Sequence, residues 1–323
     1  MEKIFVTGVN GLLGTNLSVD LLENGYVVKG FLRDKSKFQG QNHPNLELIE
    51  GNLFDDLTPI LKGVDTVIHI AAETSQNITN YMDYWKINCN LTNQILTSSI
   101  QCKVKTFVFV STANTLGYGT INDLGTEIKE IKSPFKFSFY AKSKLDAEND
   151  LLKKKDNIKL IIINPTFMLG PFDTKPSSGK IIFMGWKKKI IFFPPGGKNF
   201  VYVKDVSKGI ISSLHNGKSG EKYLIANENL SFKDFFKKLN HLENQNSLMI
   251  KIPRKILIGI GYLGDILRLC KIKTNISSIN MKILCIDNFY DNKKSILELK
   301  LKYTSVDYAI KDAIKYFNNK QIK

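Results

Sequence analysis

Short apolar runs rich in β-branched residues alternate, through the first half of the chain, with stretches whose apolar positions recur every three to four residues. "KIFVTG" (3–8), "YVVKGFLR" (26–33), "LELIEG" (46–51), "DTVIHIAA" (65–72), "KTFVFVST" (105–112) and "IKLIIINP" (158–165) read as strands. Helices are predicted over 11–25, 80–101 and 138–154. The strands are apolar at nearly every position, as expected when helices cover both faces of a sheet. Such alternation predicts an α/β fold built on a doubly wound parallel sheet. After Pro165 the rhythm breaks into longer loops with Pro and Gly. "KNFVYVKDVSKGIISSL" (198–214) reads as one more strand and helix of the core.

Composition narrows the class. The chain has 323 residues, 43% hydrophobic and 24% charged, enough for one large or two smaller globular units. Its net charge of +16 would suit a nucleic-acid binder, but only Arg33, Arg254 and Arg268 are arginines among 46 basic residues. Base and phosphate readers lean on arginine for bidentate contacts, so no nucleic-acid partner is expected. The four Cys and four His show no metal-ligand or redox spacing. This argues for a reducing, cytoplasmic setting and no metal. "MEKIFVTG" reads as a strand rather than a secretory leader. "ILIGIGYLG" (256–264) is too short to span a bilayer, so no integral membrane segment is expected. "GWKKKIIFFPP" (185–195) is basic and aromatic. It reads as a lid or edge strand of a substrate pocket in preference to a membrane-surface element.

The candidate chemistry gathers at strand ends. "TGVNGLLG" (7–14) follows the first strand and opens the first helix. Gly8 allows a tight turn, Gly11 lets backbone approach a pyrophosphate, and Gly14 packs helix on strand. The helix N-terminus offers free N–H groups to the phosphates. The second strand ends "FLRDK", with Leu32 where an acid selective for NAD would stand and Arg33 after it. Arg33, with Lys35 and Lys37, suits the extra phosphate of NADP; Asp34 is the competing selector. Asn52, Ala71, Ala72, Thr112 and Pro165 end the later strands, at the edge where open α/β sheets bind ligands. The expected dinucleotide contacts along this edge are Gly8, Asn10, Gly11, Leu12, Leu13, Arg33, Lys37, Asn52, Leu53, Ala71, Ala72, Pro165 and Thr166. The division that follows is a dinucleotide-binding Rossmann core over 1–170, with 198–214 returning to it. Residues 171–323 mainly form a smaller substrate-binding lobe. His69, inside an apolar strand, reads as a satisfied core histidine.

Tyr140 and Lys144 in "FYAKSK" (139–144) fall one helical turn apart, where an ammonium would favour the phenolate. Tyr290–Lys294 and Tyr316–Lys320 share that spacing and read as surface pairs. Context singles out Tyr140.

These motifs together resemble the extended short-chain dehydrogenase/reductases of the NAD-dependent epimerase/dehydratase superfamily, in particular the dihydroflavonol-reductase-like branch. The family's T-G-x-x-G-x-x-G appears at 7–14, its H-x-A-A at 69–72, and its Y-x-x-S-K-x-x-A-E as "YAKSKLDAE" (140–148). Its N-P-x-x-x-x-G-P appears as "NPTFMLGP" (164–171). "FDTKPSSG" (172–179) resembles the branch's D-x-K-P stretch, one residue shorter. The resemblance implies that Tyr140 is the proton donor or acceptor. It implies that Lys144 lowers the tyrosine's pKa and bonds the nicotinamide ribose, and that Thr112 positions the substrate oxygen. The family often pairs two copies through helices corresponding to 80–101 and 138–154, so a homodimer and a monomer both stand open.

Within the family, 4,6-dehydratases carry Thr-Asp-Glu where this chain has Thr112-Ala113-Asn114. Lacking both carboxylates, dehydration is not expected. Nucleotide-sugar epimerases usually hold their diphosphate with arginine, and only two arginines follow Pro165. The expectation is an NADPH-dependent reductase of a small carbonyl compound. A nucleotide-sugar epimerase, a hydroxysteroid-type dehydrogenase and a non-catalytic NADP sensor are the alternatives.

Overall fold

The computed structural model describes residues 1–322. Its first part runs β1 (Lys3–Thr7), α1 (Leu12–Glu23), β2 (Val27–Leu32), β3 (Leu46–Glu50), α2 (Thr58–Leu61), β4 (Thr66–His69), α3 (Tyr81–Trp85), α4 (Leu91–Gln101), β5 (Thr106–Val110), α5 (Phe139–Leu152) and β6 (Lys159–Pro165). The rest adds β7 (Phe167–Leu169), α6 (Lys180–Phe183), β8 (Ile190–Phe193), β9 (Gly197–Tyr202), α7 (Val203–Asn216), β10 (Glu221–Ile225), β11 (Glu228–Ser231), α8 (Phe232–Leu242), β12 (Leu248–Lys251) and α9 (Arg254–Leu269). It ends with α10 (Ser278–Ile283), β13 (Asp287–Asn288), α11 (Lys293–Leu299) and α12 (Val306–Asn319).

Seven strands form one parallel sheet in the order β10-β6-β5-β4-β1-β2-β3. The order reverses between β1 and β4, which opens a crevice at the carboxyl ends of those strands. Alternate residues of each strand feed opposite faces. Ile4, Val6, Val28, Ile68 and Val108 pack with Leu17 and Leu21 of α1 and Ile210 of α7. Phe5, Phe31, Val67, Phe107 and Phe109 pack with Ile95 and Leu96 of α4 and Leu151 of α5. The near-continuous apolar strands are thus explained by burial on both sides.

The predicted helix over 80–101 is two α-helical pieces joined by a π-helical turn, Lys86–Asn90. One sequence expectation is corrected. Residues 198–214 do not return to the central sheet as a strand and helix. The helix does: α7 packs along α1. The strand β9 instead joins a small mixed sheet with β7, β11 and β13. The seventh central strand is β10, paired in register with β6 from Glu221↔Ile161 to Ile225↔Pro165. Both segments are short and mix polar with apolar residues, and periodicity cannot say which sheet a strand joins.

Candidate active site

Gly8 closes β1 with φ +71°, and a Cβ there would lie 2.9 Å from the Ala71 nitrogen. A Cβ on Gly14 would meet the Gly8 carbonyl oxygen at 2.1 Å, so α1 sits directly on the turn before it. Gly11 differs: its nearest neighbour would be the Gly8 oxygen at 3.4 Å. The outer side of the turn that carries Asn10 and Gly11 is therefore clear of protein. The N–H groups of Leu12, Leu13 and Gly14, in the first turn of α1, have no helical acceptor and form the positive end of the helix dipole. The cradle fits a pyrophosphate.

At the tip of β2, Arg33 is exposed, and it makes no ion pair or side-chain hydrogen bond among the described residues. Asp34, the competing selector, is occupied. Its carboxylate pairs with Lys37 at 2.6 Å and accepts from the Ser36 N–H at 3.1 Å. Lys37 first and Ser36 second hold its carboxyl down at about 2. Lys37, expected beside Arg33, is thus committed to Asp34. Past β3, Asn52 accepts from the Phe54 N–H at 3.1 Å, turning the chain at Leu53.

The loop after β4 is fixed by a buried chain of hydrogen bonds. Thr92 donates to the Asn88 carbonyl at 2.8 Å, so at 3.0 Å it accepts from His69 Nε2–H. His69 Nδ1 then accepts from Thr7 Oγ1 at 2.7 Å, and Thr7 accepts from the Ile70 and Ala71 N–H groups at 3.1 and 3.2 Å. Burial, with Lys144 a lesser cause, holds the His69 imidazole neutral, its pKa down at about 3. His69 is a hydrogen-bonded core histidine that, through Thr7, fixes Ala71 beside Gly8, in keeping with its place in an apolar strand.

Tyr140, Lys144 and Glu148 follow one another at helical spacing along α5, whose N-cap is the Ser138 side chain. Lys144 is 1% exposed. Its ammonium donates to the Val110 carbonyl at 2.7 Å and lies 4.0 Å from the centre of the Phe109 ring. Burial pulls its pKa down to about 7, against the opposing pull of Glu148. A lysine ammonium has three donors, so two remain to meet hydroxyls such as those of a ribose. Tyr140 keeps part of its ring exposed. Burial pushes its phenol up to about 12, while the side chain of Thr112 works the other way. Lys144 is not among the groups moving Tyr140. In this arrangement the ammonium is turned to Val110.

Sequence reasoning passed over the support beneath these residues. Glu148, fully buried, pairs with Lys222 of β10 at 2.6 Å. It also accepts from Ser111, from Thr115 at 2.7 Å and from Asn164 Nδ2 at 2.8 Å. Asn164 donates in turn to the Thr112 carbonyl at 3.1 Å. Glu148 lies inside the quoted "YAKSKLDAE", but nothing in one sequence marks its partners. Asn88, in the π-helical turn, ties the Glu73 backbone to Ser143 of α5. Pro165 ends β6, and Thr166 beside it donates to Asn199 Oδ1 at 2.7 Å, joining the central sheet to β9. Lys198, also on β9, lies 4.8 Å from the Phe167 ring centre, its pKa lowered to about 8 by burial.

The other two Tyr-x-x-x-Lys pairs are not surface pairs. Tyr290 is 2% exposed and donates to the Ala113 carbonyl at 2.9 Å, bracing the turn after Thr112. Tyr316 is buried in the main core cluster. Their helical spacing gave no sign of the tertiary contacts that bury them.

Residues 4–226 match the family model described as the NAD dependent epimerase/dehydratase family. The chain is 25% identical to a Synechocystis sp. protein named for dihydroflavonol 4-reductase, over 98% of this chain and 95% of that one. It is 27% identical to sterol demethylase protein B of Methylococcus capsulatus, over 98% of each. The crystal structure of gox2253 superimposes with a TM-score of 0.83 at 25% identity, covering 99% of both chains. The chain belongs to the NAD dependent epimerase/dehydratase family and is an oxidoreductase-type enzyme that uses a nicotinamide dinucleotide.

Proposed function

We propose that this family member is an NADPH-dependent reductase of a largely apolar ketone or aldehyde, with Tyr140 as the proton donor. The observation that carries the reading is the convergence of Tyr140 and Lys144 on α5 with Thr112 at the end of β5, at the same sheet edge as the glycine cradle.

A bound nicotinamide dinucleotide would supply the hydride to the carbonyl carbon. Tyr140 gives its phenolic proton to the carbonyl oxygen as charge grows there, and Thr112 holds that oxygen by a second hydrogen bond. Lys144, one turn below, would hold a ribose hydroxyl of the bound dinucleotide with its remaining donors, and solvent reprotonates the phenolate left on Tyr140. Two free ammonium donors and the clear space over Gly11 support dinucleotide contacts at Gly8, Asn10, Gly11, Leu12, Leu13, Ala71, Ala72, Tyr140 and Lys144. Asn52, Leu53, Pro165 and Thr166 complete the proposed wall.

The uncommitted Arg33 and the occupied Asp34 favour NADPH over NADH. A phosphorylated cofactor fits net reduction. Ala113 and Asn114 leave the active-site turn without the acid pair that dehydration needs. The epimerase reading loses ground because Arg268, one of two arginines after Pro165, is spent on the Gln76 and Thr274 carbonyls at 2.6 and 3.0 Å. The full-length relatives, named for flavonoid and sterol chemistry, lend support to a multi-ring apolar substrate.

The test is consumption of NADPH with a panel of cyclic ketones and aromatic aldehydes. With any substrate that turns over, Tyr140→Phe should lower kcat by about a hundredfold or more, well beyond any change in NADPH affinity. Undiminished turnover would end the assignment.

A further inference from the structure

Helix α9 is apolar almost all the way round, yet only Leu257, Gly261 and Gly264 of its residues are buried. Gly261 seats the helix against Ser278 at the start of α10, and a Cβ on Gly264 would strike the Ile276 carbonyl oxygen, just before α10, at 2.5 Å. The outward half is as apolar as a core-facing one. Ile256, Ile260, Leu263 and Leu267 recur every three to four residues and are all exposed, Leu263 by 62%. Tyr262, Ile266 and Leu269 form an adjacent stripe, with Leu269 exposed by 83%. A helix that is hydrophobic all round normally lies in a core or in lipid.

The strand leading into α9 has the same character. β12 pairs in parallel with β8, setting Leu248 against Ile190 and Ile250 against Phe192. All four side chains are exposed. The stretch "GWKKKIIFFPP", read from sequence as a lid or edge strand of a substrate pocket, contains β8 of this two-stranded sheet, and the outer face of that strand is uncovered.

Charge says what covers these faces. Between residues 248 and 286 the only acid is Asp265, whose carboxylate is held by the Ser278 N–H at 3.2 Å. Lys251, Arg254, Lys255, Lys271 and Lys273 bracket α9, and the 187–189 lysine run precedes β8. None of these basic side chains forms an ion pair among the described residues. Arg254 and Lys255 even stand in the first turn of α9, where a cation opposes the helix dipole, so helix stability does not explain them. A second copy laid on this face would bring two sets of cations together. An anionic bilayer surface neutralises them and buries the apolar stripes, with lysine stems reaching up to the headgroups.

We propose that α9 and the β8/β12 face dock this protein on the surface of an anionic lipid bilayer, lying in the interface without crossing it. α9, 16 residues and about 24 Å long, is too short to span, and no helix among the described residues is long and apolar enough to cross a membrane. The docked face adjoins the active site. Arg268 near the end of α9 holds the Gln76 carbonyl, the neighbouring Ser75 carbonyl accepts from Tyr84, and the Tyr84 ring lies 6.5 Å from that of Tyr140. A lipophilic substrate could reach the site from the bilayer. The docking surface itself rests on exposure and charge alone and does not depend on the reductase reading.

The experiment is flotation of the full chain with vesicles of phosphatidylcholine alone or with added phosphatidylglycerol. The chain should float with the anionic vesicles, and raised salt should release it. The exposed pair Leu263→Asp/Leu267→Asp should weaken vesicle binding about tenfold or more with an unchanged melting temperature. The emission of a Tyr262→Trp reporter should shift to the blue when anionic vesicles are added. A chain that stays with the soluble fraction at low salt, or an unmoved reporter, overturns the proposal. So does a dimer in sedimentation velocity that Leu263→Asp/Leu267→Asp dissociates, because the face would then be covered by a second copy.

Discussion

The Lys144 ammonium lies 2.7 Å from the Val110 carbonyl oxygen, beneath Tyr140 and sealed from solvent. One hydrogen bond and the face of Phe109 offset only part of the cost of burying that charge.

Lys144 therefore makes stability depend on pH. Its folded pKa is near 7 against an unfolded value near 10.5. Between these values the unfolded chain holds a proton that the folded one lacks, so this group's contribution to stability rises with pH across about 7 to 10.5. Below 7 both states are charged and the folded state carries the full cost. Lys144→Met should be more stable than wild type at pH 6, with the gap closing towards pH 10. Tyrosines pushed upward by burial, such as Tyr84, destabilise the fold above pH 10 in both proteins and cancel in the difference. Urea unfolding across that range measures the gap, and a gap that does not change with pH would contradict the assigned burial.

The Glu148–Lys222 pair should respond asymmetrically. Glu148 is fully buried, while the Lys222 side chain is 20% exposed. Lys222→Met strands a carboxylate and should cost about 3–5 kcal/mol. Glu148→Gln keeps acceptor capacity for Thr115 and Asn164 and leaves a lysine that can turn to water, so it should cost less. Equal losses in chemical denaturation would mean the two residues do not form the buried pair described.

Two glycine variants separate folding from binding. Gly14→Ala drives a methyl into the Gly8 carbonyl and should destabilise the protein markedly. Gly11→Ala meets nothing closer than 3.4 Å and should melt close to wild type. It should still weaken dinucleotide binding about tenfold or more, because its methyl occupies the approach to the phosphates. Calorimetry for binding and a thermal melt for folding decide the matter. Normal affinity in Gly11→Ala would move the pyrophosphate elsewhere.

Much of this was legible in the sequence because it is local. The strands from β1 to β6 announced themselves by apolar runs, and the glycine spacing of 7–14 fixed both a turn and a helix start. Tyr140 and Lys144 were tied by helical period. What was not legible depends on tertiary partners. β9 and β10 look alike as short segments of mixed polarity, so the seventh strand was misplaced. Tyr290 shares the spacing of Tyr140, and only the fold reveals that it is buried against Ala113. Glu148 gathers Ser111, Thr115, Asn164 and Lys222 from three parts of the chain, which no local pattern encodes. The exposure of α9 is likewise a fact of packing, since its apolar sequence reads equally well as a core helix.

The most direct measurement is a titration of NADPH, NADH, NADP and NAD against the pure protein, with Arg33→Ala alongside. The phosphorylated forms should bind at least about tenfold more tightly, and Arg33→Ala should erase the difference. Equal or tighter binding of NADH and NAD, indifferent to Arg33, would contradict this and return the chain to oxidative or epimerase chemistry.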